Sequence, residues 1–554
     1  MAEQIWHRRS GAGYNIFVEY YLKQPNGIVV DTIDDVDATT TVVAIVATGD
    51  GGGGGGAGLS RAALRRKKKK KRKRNPESES LGENNNAPLV EKCRDHLEQL
   101  RTPTSAQKPK PKQSNNKKKK LLFHDFLVSL SKPLPLTFRF RKTNNHQKKQ
   151  LINELPADPN EFEFAIDKNS LKQKCPTMKE FLMRYTKNGI LARQELGSML
   201  PVWILEKVGA FHPKSRMKEK NQNNKIVRVL DMCSSPGSKT LQVIEEFGLL
   251  RTGGRIRAND VNITRLDSLK EAIERSGLLG DDYNNDGNED IIKYSNVDAS
   301  KYPIPKNGYN IILCDVPCSG DGTCRKDLHI IKNWLPSIGN ALHSLQKSIL
   351  IRALQCIALD GYVCYSTCSL NPIEDEAVVY GALNEINQIQ QKQQKQKQSS
   401  KSKQQNNISM EFELIHVSKE SLNGLILHPG VTTWNVADYN YGDSSNNNDD
   451  KGNDKNKDDN EEEEEEEEEE RVPKLCWYDS YESATTTNDA NNHNSDNIVM
   501  NDAVRSMWPP SSPTIATADT NTNTYNKTIP LNHCLRLFPQ DQDTGGFFVT
   551  IIKR

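Results

Sequence analysis

The sequence predicts an α/β fold in which a mostly parallel β-sheet is covered by helices on both faces. From about residue 226 onward, short β-branched runs alternate with helical stretches. Polar or glycine-containing segments follow the ends of the β-branched runs. The alternation is typical of parallel sheets whose strands are joined by helices. In such sheets, ligands bind in the crevice outside the carboxyl ends of the strands.

The predicted elements follow one another along the second half of the chain. Strands are expected at Ile226–Met232, Arg255–Asp260, Ile291–Asn296, Tyr309–Asp315, Gly361–Ser369, Glu411–Val417 and Gly546–Ile552. Helices are expected at Lys239–Leu250, Arg265–Gly277 and Ser344–Leu359, the last with a buried stripe that includes Leu345. Asn371 and Pro372 predict the start of a further helix, whose first turn would carry the acids Glu374–Glu376 at the positive end of the helix dipole.

Low-complexity tracts divide the chain. Residues 1–25 and 120–190 are predicted to form one small amino-terminal region, interrupted by a basic low-complexity insertion at residues 26–119. Residues 191–554 are predicted to form a larger domain with disordered insertions at about residues 388–408 and 443–500. Tracts of this composition bury too little apolar surface to offset the conformational entropy of the chain.

The formal net charge of +3 over 554 residues hides two opposed blocks. Ten consecutive basic residues run from Arg65 to Arg74, and ten glutamates run from Glu461 to Glu470. The basic block is compatible with a nuclear-localisation or nucleic-acid-binding segment and with a solvated linker, whereas the glutamates indicate a solvated spacer.

The eleven cysteines are predicted to be reduced and free of metal. The sequence shows neither a secretory leader nor an apolar run of membrane-spanning length, which favours a reducing compartment and no membrane partner. Cys314, Cys318 and Cys324 lie close together in sequence. Because no CxxC pair occurs, a zinc site is not expected.

The first strand leads into the turn Asp231–Thr240, with the sequence DMCSSPGSKT. A turn at this position presents backbone amides to an anionic or polar ligand. It is neither a Walker A loop nor a GxGxxG fingerprint, which disfavours nucleoside triphosphates and dinucleotides. Asp260, Asp298 and Asp315 end or follow the next three strands, so these acids and Asp231 are expected to ring one cleft. A carboxylate after the second strand can bind both hydroxyls of a ribose.

Two cysteines follow neighbouring strands of the predicted sheet. Cys318 lies after the fourth strand, within DVPCSGDGT, and Cys368 lies at the end of the fifth, within STCSLNP. Each thiol alone is compatible with a small buried apolar side chain, but adjacent parallel strands would bring both to one edge of the sheet.

Two thiols beside an acid suit alkylation at carbon 5 of a pyrimidine. A thiolate adds to carbon 6, carbon 5 then becomes nucleophilic towards a sulfonium methyl group, and an acid near the ring nitrogen stabilises the developing charge. Lys239 and the helix start after Asn371 are candidate positive neighbours for the attacking thiolate. The residues themselves leave the roles of the two thiols exchangeable.

These motifs resemble those of the NSUN (Nol/Nop/Sun-domain) RNA cytosine-5 methyltransferases, and they are most similar to the eukaryotic tRNA branch of that family. The resemblance covers most of residues 120–385 and about the last twenty residues, through Arg193–Met199, Asp231–Thr240, Ala258–Asn262, Asp315–Thr323, Tyr365–Val378 and Gln542–Phe548. It implies a Rossmann-like class I S-adenosylmethionine-dependent methyltransferase sheet in residues 191–554. It also implies that residues 1–25 and 120–190 bind RNA.

The resemblance further implies the roles of the site residues. Cys368 is expected to be the nucleophile, and Cys318 is expected to assist release of the methylated product. Asp315 or Lys239 is expected near the target base. The residues expected to contact S-adenosyl-L-methionine are Cys233, Ser234, Ser235, Pro236, Gly237, Ser238, Lys239, Asp260, Asp298 and Asp315.

Phe17–Gln24, Pro133–Arg139 and Ser506–Pro510 are similar to segments of the tRNA branch, which favours tRNA as the partner over ribosomal or other RNA. A DNA cytosine methyltransferase is disfavoured, because enzymes of that class are expected to carry one nucleophilic cysteine after the fourth strand and no second cysteine in the fifth. This chain has the pair Cys318 and Cys368. A non-catalytic RNA-binding or assembly factor is disfavoured by the intact cysteines, acids and glycines. If the run Arg65–Arg74 is a localisation signal, the protein is expected in the nucleus or nucleolus, with the cytoplasm as the alternative.

Overall fold

A computed structural model describes residues 17, 20, 21, 24, 125–130, 132, 134–135, 137–141, 176–188, 190–211, 226–247, 254–276, 291–399, 411–418, 425–440, 474–485, 499–510 and 529–554. The basic run Arg65–Arg74 and the glutamate run Glu461–Glu470 lie outside these residues. The same is true of the whole predicted insertion at residues 26–119.

The described residues form thirteen strands and nine α-helices. The strands are β1 (Phe138–Phe140), β2 (Leu191–Arg193), β3 (Arg228–Asp231), β4 (Arg255–Asn259), β5 (Ile292–Ser295), β6 (Tyr309–Asp315), β7 (Ile357–Thr367), β8 (Glu413–Leu414), β9 (His428–Pro429), β10 (Val436–Asn440), β11 (Lys474–Tyr478), β12 (Leu535–Leu537) and β13 (Phe547–Lys553). The helices are α1 (Pro176–Lys187), α2 (Leu196–Lys207), α3 (Ser238–Glu246), α4 (Ile263–Arg275), α5 (His329–Asn333), α6 (Pro336–Cys356), α7 (Glu376–Ser399), α8 (Tyr481–Thr485) and α9 (Pro539–Gln542).

Nine strands form the central sheet, in the order β5-β4-β3-β6-β7-β13-β12-β9, with β8 paired to β13. The five strands from β5 to β7 are parallel, and β13 and β12 continue the sheet in antiparallel pairing. The predicted α/β fold with a mostly parallel sheet is therefore confirmed. The strand order reverses between β3 and β6, which is where open sheets of this kind bind ligands.

Strands of the central sheet bury apolar side chains on both faces. Leu230 and Ile312 face one apolar layer, which is packed by α6 and α7. Val229 and Ile311, their neighbours in sequence, face the other layer, which is packed by α2, α3 and α4. Successive strand residues point to opposite faces, so runs that are apolar throughout are buried on both sides.

Several predicted boundaries are wrong. Helix α6 begins at Pro336 rather than Ser344, and Leu345 is 40% exposed, so it is not part of the buried stripe. The strand expected at Glu411–Val417 shrinks to β8, which pairs only two residues with β13. Pro336 starts α6 because its fixed φ suits a first helical turn and its missing N–H has no helical partner there.

The tracts predicted to be disordered contain regular structure. Helix α7 continues to Ser399, within the tract expected at 388–408, because Gln and Lys are good helix formers. Strand β11 and helix α8 lie within the insertion expected at 443–500, and β11 pairs with β10 in antiparallel register. Leu475 and Tyr478 are buried there, so this short segment has the apolar surface that its flanking tracts lack.

The two predicted halves of the amino-terminal region meet. Phe17 and Tyr21 pack in one buried cluster with Phe126 and Trp334, so this region rests directly on the segment that leads into α6. Arg139 is buried and pairs with Glu245 of α3. In the part of the chain described here, no helix is both long enough and apolar enough to cross a membrane.

Candidate active site

The predicted site residues lie at or just beyond the carboxyl ends of β3, β4, β5, β6 and β7. The turn after β3 and the loop after β6 flank the point where strand order reverses, and β6 pairs with β7 up to Asp315 opposite Ser366. The residues that follow these two strands carry the two cysteines. The topology therefore brings the turn 231–240 and both thiols to one edge of the sheet.

The turn after β3 is held by the end of β4. Ser234 donates its backbone N–H to the Asn259 carbonyl at 2.8 Å, and the backbone N–H of Ser235 reaches the Asp260 carboxylate at 3.2 Å. Gly237 has a φ of 103°, and a Cβ there would lie 2.2 Å from a methyl carbon of Leu269. Only glycine combines this left-handed backbone with such close helix packing.

The residues of this turn fit the methyl donor that the motifs imply. The Ser235 hydroxyl is buried and has no hydrogen-bond partner among the described residues, so a polar donor or acceptor is available for a ligand. Asp260 accepts from the backbone of Ser235 and of Asn262, which orients its carboxylate at the end of β4. Cys233 and Lys239 lie on either side of the serine-rich turn. Pro236, Gly237 and Ser238 complete the tight approach to α3.

Of the four acids expected to ring one cleft, Asp298 and Asp315 are partly exposed, whereas Asp231 and Asp260 are buried. Asp231 is 2% exposed and accepts a hydrogen bond from Thr240 at 2.7 Å, so it lies beneath the turn rather than in the cleft. Burial raises the pKa of Asp231 to about 7. Asp298 caps a three-residue 3₁₀ turn by accepting the Ser300 backbone N–H at 2.9 Å, and a second hydrogen bond, from the Ser300 hydroxyl at 2.7 Å, is the main cause that lowers the pKa of Asp298. Asp231 turns inward because its hydrogen bond to Thr240 compensates for its burial.

Lys239 and Asp315 form an ion pair, with Nζ 2.6 Å from Oδ2. Burial favours the neutral amine, but the Asp315 carboxylate outweighs it and raises the pKa of Lys239. Ser366 donates to the other Asp315 oxygen at 2.8 Å, so the carboxylate is held between β6 and β7. The side chain of Asp315 is 31% exposed and so faces the cleft.

The two thiols meet. The Sγ atoms of Cys318 and Cys368 are 3.3 Å apart, and both residues are partly exposed. The hydrogen bond shared with Cys368, together with burial, raises the pKa of the Cys318 thiol well above its ordinary value. Either thiol can donate to the other, so the geometry by itself leaves the roles of the two sulfurs exchangeable.

Sequence reasoning missed the acids under the thiol loops. The helix expected to start at Asn371 and Pro372 begins only at Glu376, so Glu376 alone of the three predicted acids lies in the first turn of α7. All three acids are fully buried, and Glu374 and Glu376 accept hydrogen bonds from Ser319 and Arg536. The signal in the sequence that could have revealed these buried acids is their position: three consecutive acids follow the loop that carries Cys368. In the described residues, no group of three or more His, Cys, Asp or Glu side chains is placed to hold a metal ion.

Comparison with known proteins shows what the chain is similar to. Residues 217–421 match the family model described as 16S rRNA methyltransferase RsmB/F. The multisite-specific tRNA:(cytosine-C(5))-methyltransferase of Schizosaccharomyces pombe is 28% identical over 491 residues, which covers 78% of this chain and 56% of the relative. The protein of the same name from Saccharomyces cerevisiae is 28% identical over 472 residues, covering 78% of this chain and 52% of the relative.

A third relative, the tRNA (cytosine(34)-C(5))-methyltransferase of Drosophila melanogaster, is 32% identical over 244 residues, which covers 41% of this chain and 29% of the relative. The chain spans about half the length of the two yeast relatives that it matches. The predicted resemblance is confirmed: residues 217–421 are similar to the RsmB/F methyltransferases, and the three relatives are named as tRNA cytosine-C5 methyltransferases.

Proposed function

We propose that this protein transfers a methyl group from S-adenosyl-L-methionine to carbon 5 of cytosine in tRNA, through a covalent adduct with Cys368. One observation carries the proposal: the thiols of Cys318 and Cys368 lie 3.3 Å apart, at the edge of the sheet where Lys239 pairs with Asp315. The names of the yeast and fly relatives support cytosine-5 chemistry and favour tRNA over ribosomal RNA.

Binding and orientation come from the turn after β3 and the end of β4. Bound S-adenosyl-L-methionine supplies an electrophilic methyl group. Residues 233–239 would hold it with backbone amides and the Ser235 hydroxyl, and Asp260 would bind its ribose hydroxyls. Asp298 follows β5, the strand at one end of the sheet. Its side chain is 39% exposed, so its carboxylate is accessible to the donor.

The thiols perform the addition and the elimination. The Cys368 thiolate forms a bond to carbon 6, and the electrons of the carbon 5–carbon 6 double bond make carbon 5 nucleophilic. After carbon 5 has gained the methyl group, a base removes its proton, the double bond re-forms and the sulfur–carbon 6 bond breaks. Cys318 is close enough to the departing sulfur to assist this release. The Lys239–Asp315 pair faces the charge that develops on the ring.

The test is single-turnover transfer of labelled methyl to unmodified tRNA by the wild type, Cys368→Ala and Cys318→Ala, with adducts resolved on a denaturing gel. We expect transfer by the wild type, none by Cys368→Ala, and trapped covalent RNA with Cys318→Ala. Unmodified ribosomal RNA serves as the competing substrate. Transfer that is unchanged in both variants would overturn the covalent scheme, and a wild type that methylates no RNA would favour a non-catalytic RNA-binding factor.

We also propose nuclear residence, supported only by the basic run Arg65–Arg74. Deleting residues 65–74 from a fluorescent fusion is expected to move the protein from the nucleus to the cytoplasm. An unchanged distribution would leave that run as a linker.

A further inference from the structure

We infer that Glu374 is a positioning residue that holds the Cys318 and Cys368 loops together so that their two sulfurs meet. The inference deepens the function proposed above and rests on its two-thiol reaction. Glu374 touches neither thiol. Its carboxylate instead bonds to the residue that follows each of them.

The first contacts are with Ser319 and Ser369. Oε1 of Glu374 accepts the backbone N–H of Ser319 at 2.7 Å, and Oε2 accepts the Ser319 hydroxyl at 2.5 Å. The same Oε2 accepts the Ser369 hydroxyl at 2.8 Å. One buried carboxylate therefore ties the loop after β6 to the loop after β7, one residue beyond each cysteine.

Helix α6 supplies the remaining donor. The Gln346 amide donates to Oε1 of Glu374 at 3.1 Å and to the Pro317 carbonyl at 2.8 Å. Cys318 is thus held from the residue before it and from the residue after it. Four donors therefore bond to the Glu374 carboxylate. A carboxylate has about four lone-pair sites and can accept a hydrogen bond at each of them.

Glu374 is itself held firmly. The Tyr365 hydroxyl donates to the Glu374 backbone carbonyl at 2.6 Å. Helix α6 passes so close at Gly339 that a Cβ there would lie 3.2 Å from Oε2. The side chain is fully buried. A rigid, fully satisfied acceptor of this kind transmits its position to whatever donates to it.

Other bonds keep the loops together when Glu374 is removed. The backbone N–H of Gly322 donates to the Cys368 carbonyl at 2.9 Å, and that of Leu370 donates to Asp321 at 2.9 Å. These contacts hold the Cys368 backbone, but neither of them reaches Ser319, the residue beside Cys318. Loss of Glu374 is therefore expected to change the meeting of the thiols more than it changes the fold.

The experiment measures the closeness of the two thiols without RNA or methyl donor. Phenylarsine oxide bridges two neighbouring thiols by forming two arsenic–sulfur bonds and releasing one water, with no change in oxidation state. Its incorporation into the full chain is followed by intact mass, with Cys318→Ala defining the rate that is due to other cysteines. The variants are Glu374→Ala, Glu374→Gln and the control Glu385→Gln, which alters an acid on helix α7, just after Glu374 in the chain, whose side chain is 46% exposed.

We expect Glu374→Ala to slow bridging by at least about tenfold, the factor for losing one hydrogen bond to a charged group. Single-turnover methyl transfer should fall at least as much, with the KM for tRNA unchanged. Glu374→Gln, which keeps one accepting oxygen, should lie between Ala and wild type, and Glu385→Gln should match wild type in both assays. Thermal unfolding reports whether each variant is folded.

A folded Glu374→Ala variant that is bridged at the wild-type rate would overturn the inference, even if it had lost methyl transfer. If Glu374→Ala fails to fold, Glu374→Gln decides: wild-type rates of both bridging and transfer would overturn the inference, and slower bridging would support it. If the wild type transfers no methyl but its bridging depends on Glu374, the proposed function fails and the positioning role stands.

Discussion

Replacing Arg536 with methionine is expected to lower the free energy of unfolding by about 3–5 kcal/mol, the usual cost of removing one partner from a buried ion pair. Arg536 of β12 is fully buried. It pairs with Glu376 through two nitrogens, lies 3.4 Å from the Asp375 carboxylate, and donates to the Leu370 carbonyl at 2.8 Å. Methionine fills much of the same space but leaves both carboxylates without their cation.

A second substitution separates charge from packing. In Arg536→Met/Glu376→Gln, the buried negative charge at Glu376 is removed, and the amide oxygen still accepts from the backbone N–H of Val431, which lies 2.9 Å from Oε1 in the wild type. Burial raises the pKa of Asp375 well above its ordinary value. The double variant is therefore expected to be more stable than the single one.

Urea and thermal unfolding measure both effects. The single variant should melt roughly 6–20 °C below the wild type, from a shift of about 2–4 °C per kcal/mol. Arg505→Met is the control, since Arg505 and Glu482 form an exposed pair with side chains 72% and 62% accessible, and its melting temperature should stay close to that of the wild type. An Arg536→Met variant as stable as that control, or a double variant less stable than the single one, would refute the reasoning.

Three further predictions concern the site. In Gly322→Ala, the new Cβ would lie 2.7 Å from the Cys368 carbonyl oxygen, so the loop must shift. Methyl transfer should therefore fall by about 100-fold. A single-turnover rate equal to that of the wild type would contradict this prediction. Lys239→Met removes the cation beside Asp315 and should slow transfer by about 100–1,000-fold in the same assay, whereas a loss confined to KM would assign Lys239 to binding alone. The pKa of Asp231 is raised above that of the unfolded chain, so its contribution to stability is present below about pH 4 and is lost as the pH rises to about 7. Asp231→Asn should therefore gain up to about 4 kcal/mol over the wild type between pH 4 and pH 8, and urea unfolding that shows a difference independent of pH would contradict the raised pKa.

Local patterns were sufficient to predict the sheet and the place of the site. Runs such as Ile226–Met232 and Tyr309–Asp315 are apolar on both faces, which marks buried parallel strands, and the turn at Asp231–Thr240 follows directly. The order of strands along the chain then places Cys318 and Cys368 at one edge. These inferences depend on neighbours in sequence, so the chain alone contains what they need.

The tertiary structure decided which residues far apart in the sequence contact one another. That β11 pairs with β10, and that Arg536 pairs with Glu376, 160 positions earlier in the chain, depends on contacts between residues far apart in the sequence. No local periodicity records such contacts, because a buried charge is placed by the partners that compensate for its desolvation. The 3.3 Å between the two sulfurs is set in the same way, by bonds to the residues around them rather than by the spacing of the cysteines in the sequence.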